Sequence, residues 1–437
     1  MMEQATFPRY DQYKSTDVKW LGDIPEHWSI GKIRAVTVLK SKKNQPDLPV
    51  LSVYRDYGVI LKDSRDDNHN ATSLDTSNYK VVDVGDLVVN KMQAWQGSMG
   101  ISQYHGIVSP AYITCTVDTE RVFPKFLHYL LRSQPYIGVY NALSYGVRVG
   151  QWDMHYKDFK HIPLPIPSRE EQQRIGNFLD RKTAEIDEAI AKKQRLIELL
   201  KEQKAILINQ AVTKGLNPDA PMRDSGVEWI GEVPKHWEIK RLGFLAKMLQ
   251  TGPFGSQLHQ EDYIEDGIPV INPSQLSNGK IVPDSKTTVS EKTARRLHRH
   301  MTMVGDIIFA RRGEMGRCGL TTQGHEGYIC GTGSILFRPN KLADSVFLTI
   351  ALGSDFIRRF LQFVSVGATM DNLNTSILSK VPIPIPPKEE QLRIIDAVVQ
   401  IQAEHQEVAK TLQIGINQLY EFKQSAIASV VTGKIKL

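Results

Sequence analysis

The chain repeats itself, and that limits its folds more than any local motif does. Trp20-Leu-Gly-Asp-Ile-Pro-Glu-His-Trp28 returns as Trp229-Ile-Gly-Glu-Val-Pro-Lys-His-Trp237, an offset of 209. Leu48-Pro49-Val50-Leu51 matches Ile268-Pro269-Val270-Ile271, and Val84-Gly85-Asp86-Leu87 matches Val304-Gly305-Asp306-Ile307, both at 220. At 219, Ile162-Pro-Leu-Pro-Ile-Pro167 returns as Val381-Pro-Ile-Pro-Ile-Pro386, Glu170-Glu171-Gln172 as Glu389-Glu390-Gln391, and Val212-Thr213 as Val431-Thr432. Two copies of roughly 210 residues make a pseudo-symmetric pair of domains, because a solenoid needs more and shorter repeats. The offset grows around Thr251–Asp266, a Gly- and Pro-bearing polar stretch that reads as a surface loop. It then holds constant over 162–213 and 381–432, so the last segments of both copies have equal length, as spacers would.

Composition narrows the class. A chain of 437 residues is too long for one compact core, and 41% hydrophobic with 23% charged residues excludes wholesale disorder. Lys+Arg 54 against Asp+Glu 48 leaves +6, a balance that permits a nucleic-acid partner without demanding one. The opening MMEQATFPRYDQYK lacks the apolar core of a signal peptide, and no apolar run approaches a membrane span. Three cysteines (Cys115, Cys318, Cys330) argue for a reducing compartment, so a cytoplasmic protein is expected.

Each copy has the same internal order. Short β-like runs such as Tyr79–Val89 and Gly305–Phe309 come first, interleaved with short helical patterns at Pro124–Arg132 and Ser345–Leu352. A strand with proline at every second position follows; without those N–H donors it belongs at a sheet edge or in an extended stalk. Then a long helix begins, with Ser168 as N-cap and Glu171 placed to complete a capping box. Its expected seam is Ile175, Leu179, Ile186, Ala189, Leu196, Leu200 and Leu207, interrupted by Lys182, Lys193 and Gln203. The second copy offers Ile394, Val398, Ile401, Val408, Leu412, Leu419 and Phe422. One such helix cannot bury its stripe alone, and the chain supplies two, so they are expected to pair antiparallel.

The fold class predicted is α+β: two pseudo-symmetric mixed α/β domains with two long antiparallel helices forming an intramolecular coiled coil. The expected division is 1–168, first globular domain; 169–212, first long helix; 213–387, second globular domain; 388–437, second long helix.

Polar clusters beside glycines fall at matching points of the copies. The first copy has Tyr54–Tyr57, Asn90–Gln96 and Tyr145–Trp152, with Arg55, Tyr57, Lys91, Gln93, Gln96, Arg148 and Gln151 as candidate DNA-binding residues. The second has Asn272–Gln275, Arg311–Arg317 and Thr369–Asn374, with Ser274, Gln275, Arg311, Arg312, Arg317, Asn372 and Asn374. Their side chains carry the donors and acceptors that match base edges. The basic run Arg295–His300 would add phosphate contacts. Taken singly, each cluster reads equally as a solvated turn. A retained framework whose polar positions change chemistry between copies is what two different binding specificities would produce.

Catalytic signals are weak. Asn272-Pro-Ser-Gln275 lacks the second proline and the aromatic of an adenine-methyltransferase motif. Gly313–Gly319 lacks the Lys-Ser/Thr of a phosphate loop, and no Gly-rich cofactor loop follows a strand. Cys318, His325 and Cys330 are irregularly spaced without a fourth ligand, so zinc is not expected. No catalytic residue, cofactor or metal site is predicted.

Taken together, the repeated Trp-Leu/Ile-Gly-Asp/Glu-Ile/Val-Pro-x-His-Trp opening, the Val-Gly-Asp middle and the Pro-alternating strand running into Glu-Glu-Gln and a long helix resemble the specificity subunit of Type I restriction–modification enzymes. The resemblance covers essentially the whole chain, in order and twice. It implies two target-recognition domains, each reading one half of an asymmetric, split site in double-stranded DNA, with helices that set the spacer. It also implies docking of methyltransferase (modification) subunits, two in number, joined by restriction (translocase/nuclease) subunits that carry the chemistry. The competing class is a non-enzymatic coiled-coil scaffold whose globular ends bind proteins.

Overall fold

The computed structural model describes residues 8–64, 72–73, 75–148, 151–253, 257–277, 279–312, 316–365 and 373–437, with Val147, Arg148, Gln151 and 362–365 described by backbone alone. The chain forms two compact units, Met1–Gln194 with Gln413–Leu437, and Arg195–Leu412. Each unit therefore contains half of each long helix.

Both units are built on the same sheet. In the first, four antiparallel strands run in the order Thr37–Lys40, Tyr112–Val117, Leu87–Asn90, Met99–Ile101. In the second the order is Ala246–Thr251, Ser334–Pro339, Ile307–Ala310, Cys318–Leu320. The fully apolar run Leu87-Val-Val, continuous like Ile307-Ile-Phe, is buried on both faces because helices cover one side and a smaller strand layer the other. The Pro-alternating strands Pro163–Ile166 and Pro382–Ile385 each pair with a single partner, Ser29–Lys32 and Glu238–Arg241. An edge ribbon needs hydrogen bonds on one side only, which is what alternating proline allows.

The repeated tryptophans are core. Trp28 and Trp237 are buried, while Trp20 stacks edge-on to Tyr136 at 4.9 Å and Trp229 lies 5.2 Å from Phe360. The repeated histidines have a local task. His27 Nε2 meets Glu171 at 3.0 Å and His236 Nε2 meets Glu390 at 2.8 Å, joining each Trp motif to the first turn of the long helix in its unit. Glu171 thus turns toward His27 and the Tyr10 hydroxyl, while Ser168 Oγ still accepts the Glu171 N–H at 3.3 Å. The adjoining glutamines repeat a second staple. Gln172 accepts the Phe123 N–H at 2.7 Å and donates to Pro167 O, as Gln391 accepts from Asp344 N–H at 2.7 Å and donates to Pro386 O.

The long helices are Arg169–Lys214 and Lys388–Val431. They pack antiparallel inside each unit: Lys423 Nζ bridges Asp187 at 2.7 Å in the first, and Gly215 lies against Glu390 in the second. The seam differs from the expected one. Leu196, Val408 and Phe422 are 48%, 47% and 43% exposed, while their neighbours Ile197, Ala409 and Lys423 turn inward. The first helix keeps a strict heptad through Ile186, Ile190, Lys193, Ile197, Leu200, Lys204 and Leu207, all buried or half-buried. Apolar character alone cannot choose between Leu196 and Ile197 and passes over the small Ala409 and the charged Lys423, and so loses the phase.

Candidate nucleic-acid interface

At one end of each sheet the strands hand over to the polar loops. In the second domain Ile268–Ile271 and Ile307–Ala310 end there and Ser334–Pro339 begins there. Hydrogen bonds then tie the loops together. The Gly331 N–H and the Ser334 hydroxyl both donate to Ile271 O, at 3.0 and 2.8 Å. The Arg311 N–H donates to Gly333 O at 2.9 Å, the Leu373 N–H to Arg311 O at 3.0 Å, and Arg311 Nε to Leu373 O at 3.1 Å. A Cβ on Gly331 would sit 2.1 Å from Asn272 Oδ1, so this close approach of backbone to side chain requires glycine. The clusters at 272–275, 311–312 and 373–374 therefore share one surface.

The first domain repeats the arrangement with different chemistry. The Met154 N–H donates to Lys91 O at 2.9 Å, the counterpart of Leu373 on Arg311, and Lys91 Nζ meets Asp153 at 3.0 Å. Trp95 and Trp152 pack edge-to-face at 5.3 Å, bringing the 90–96 loop to the hairpin of Tyr145–Arg148 and Gln151–Asp153. The Tyr112 hydroxyl lies 3.5 Å from Asn90 Nδ2. The 54–57 loop is pinned from behind, where Arg132 donates to Arg55 O at 2.6 Å and also meets His128 at 2.7 Å. Burial, with Arg132 adding to it, pushes the His128 imidazole down to about 3, so it stays neutral and serves as a fixed support.

The predicted residues divide by exposure. Arg55, Tyr57, Gln93, Ser274 and Arg312 are exposed; Gln96, Lys91, Arg311 and Arg317 are half-buried. Gln275 is buried and closes a reciprocal capping box with Asn272, and Asn374 accepts the Ile377 N–H at 2.8 Å as a helix N-cap. Arg317 Nε is buried without a hydrogen-bond partner. Arg148 and Gln151 pair across the hairpin by backbone, their side chains outside the described residues, as is Asn372 entirely.

Among the described residues no group of three or more His, Cys, Asp or Glu could hold a metal. Cys318 and Cys330 are buried, and burial pushes the Cys318 thiol up to about 12, as befits a packing residue. No described helix is long and apolar enough to cross a membrane. Sequence reasoning missed Lys43 and Lys80, which lie at this same end; the signal available was that Lys80 and His300 are both basic at the 220 offset.

Two copies of one scaffold, alike in sheet and staples and unlike in the loops at one end, define a tandem recognition protein. The chain belongs to the family of the Type I restriction modification DNA specificity domain, whose profile matches it twice, over residues 18–199 and 234–418. It is a DNA specificity subunit of a Type I restriction–modification system, in which catalysis resides in other subunits. It is 23% identical to the Type I restriction enzyme MjaVIII specificity subunit of Methanocaldococcus jannaschii over 95% of this chain and 94% of that one. It is 21% identical to the EcoKI specificity subunit of Escherichia coli K12 over 95% and 90%. Its fold matches the HsdS subunit of Thermoanaerobacter tengcongensis, with TM-score 0.54 and 17% identity over 94% of this chain and 98% of that one. A chain from a structural study of complex assembly in the type I R-M system matches with TM-score 0.68 and 17% identity, covering 93% and 98%.

Proposed function

We propose that each globular domain, 1–168 and 213–387, reads one half of an asymmetric bipartite site in double-stranded DNA. The helices 169–212 and 388–437 set the spacer and dock two methyltransferase subunits, which restriction subunits join, in the cytoplasm. The observation that carries this reading is the shared sheet end: one main-chain tie recurs, Met154 N–H to Lys91 O and Leu373 N–H to Arg311 O, and it holds loops whose side chains differ between copies. Arg55, Tyr57, Gln93, Gln96, Arg148 and Gln151 serve the first half-site. Ser274, Arg312, Arg317 and Asn372 serve the second, with Gln275 and Asn374 fixing the loops that present them. Lys91 and Arg311 hold the last loop and reach toward the DNA from its base.

Because the domains differ, the site is not a palindrome. Two readers on one face of a duplex are about one helical turn, ~34 Å, or a multiple of it apart. A helix of 46 residues is long enough, at about 69 Å, to enforce such a distance. Inserting four residues after Arg195 tests the ruler: the preferred spacer changes while both half-sites keep their bases, as read by mapping methylated adenines. An unchanged spacer contradicts it.

A further inference from the structure

Lys80 opens the strand Lys80–Val82 and is half-buried, with its ammonium donating to Tyr112 O at the loop-bearing end of the first sheet. Lysines that leave solvent normally acquire a carboxylate. Among the described residues none pairs with Lys80; its charged neighbours are instead lysines. Burial and the nearby charges of Lys43 and Lys91 hold its ammonium below the ordinary lysine value. Backbone contacts deliver Lys43 to this place: Lys42 O accepts the Val81 N–H at 2.8 Å, and the Asn44 N–H donates to Ser77 O at 3.1 Å. Lys91 holds Asp153 at 3.0 Å, both side chains 34% exposed, a solvated pair that opens easily. Three ammonium groups thus lie near one another, and the one carboxylate paired among them, Asp153, is held by Lys91.

The second domain repeats the anomaly independently. His300 occupies the position of Lys80 at the 220 offset, half-buried, its ring bonded to the Thr251 backbone while Nδ1 is buried without a partner, and burial with the neighbouring Arg299 holds the imidazole below its ordinary value. Arg299 adjoins it, its carbonyl accepting from the Gln250 side chain beside the end of Ala246–Thr251. A basic side chain kept half-buried at the same offset position of both domains, in the strand Lys80–Val82 of one and the short turn His298–His300 of the other, serves the chemistry of the position and not one packing solution.

We propose that Lys80, with Lys43 and Lys91, binds a backbone phosphate of DNA at the first domain, a contact separate from base reading, and that His300 with Arg299 holds the matching phosphate at the second. This rests on the reading of the domains as DNA binders. The test uses the full chain and duplex DNA of random sequence, titrated over a salt series. Each phosphate contact contributes about 0.9 to the slope of log affinity against log salt. K43Q and K80Q each lower the slope by about that amount, and K80R restores it. K80Q also unfolds at the same or higher urea concentration than wild type, because it removes an unpaired, half-buried charge. A wild type with a steep slope that K43Q and K80Q both retain, with K80Q unfolding earlier, overturns the site and reduces Lys80 to a bond to Tyr112. A wild type that fails to bind duplex DNA overturns the underlying reading instead. If K80Q fails to fold, K43Q, on an exposed side chain, decides by the same slope.

Discussion

Asp86 and Asp306, the repeated aspartates of Val-Gly-Asp, hold the same turn and then part company. Each is buried and accepts the N–H three residues before it, Asp83 at 2.8 Å and Met303 at 2.7 Å, after a glycine at positive φ. Asp86 takes its cation from Lys40 on the outer strand of its sheet, whereas Asp306 takes Arg338 from an inner strand, in two bonds of 2.8 and 2.7 Å. The turn is demanded by the backbone, so the aspartate stays. The cation has only to arrive, so its source differs between the copies. The loops at the sheet end are constrained still less, and there the two domains share the main-chain tie to Lys91 and Arg311 but almost no side chains.

That graded divergence can be broken experimentally. The largest effect belongs to the parts that did not drift: W28A and W237A each lose about 3–5 kcal/mol in urea unfolding, since both remove a fully buried indole. A small loss in either would mean that the repeated motif is not core. Next, D306N loses about 3 kcal/mol or more by leaving the Arg338 guanidinium without a carboxylate, its other acceptor being only Met301 O at 3.3 Å, and D86N loses less because Lys40 keeps Asp83 at 2.6 Å as a second carboxylate. Equal losses would remove the distinction between the two cations. Below these, Q172A and Q391A each lose about 1–2 kcal/mol, since both accept an N–H and donate to the preceding proline carbonyl, with Q172A at the upper end because Gln172 also donates to Arg121 O at 3.2 Å. A difference beyond about 1 kcal/mol would break the equivalence of the helix starts. The smallest shift sharpens the loop comparison: H300K gives the second domain the first domain's cation and steepens the salt dependence of DNA binding by up to about 0.9. No steepening would separate position 300 from position 80.

Much of this architecture was readable in advance, and the reasons are physical. Repeated motifs survive where several constraints coincide, so Trp28, Asp86 and Gln172 announced themselves through their second copies. The proline alternation dictated an edge strand because missing donors can be tolerated on one side only. Helix phase was less legible: Leu196-Ile197 offers two large apolar neighbours, and only the antiparallel partner decides that Ile197 faces it. The interface clusters were visible as polar loops, but their division of labour was not. Gln275 and Asn374 have the chemistry of base readers and are engaged by backbone N–H groups a few residues away. Lys80 is not legible as a site, because nothing in Tyr-Lys-Val-Val distinguishes a half-buried lysine from a strand-edge one. Its counterpart His300 was the clue.

Independent reading by the two domains is tested most directly by transplanting the loops 90–96 and 145–153 together from a relative of different specificity and mapping methylated adenines across a genome. The account predicts that one half of the recognised sequence changes while the other half and the spacer stay as they were. A change in both halves, or a new spacer with the old bases, would contradict it.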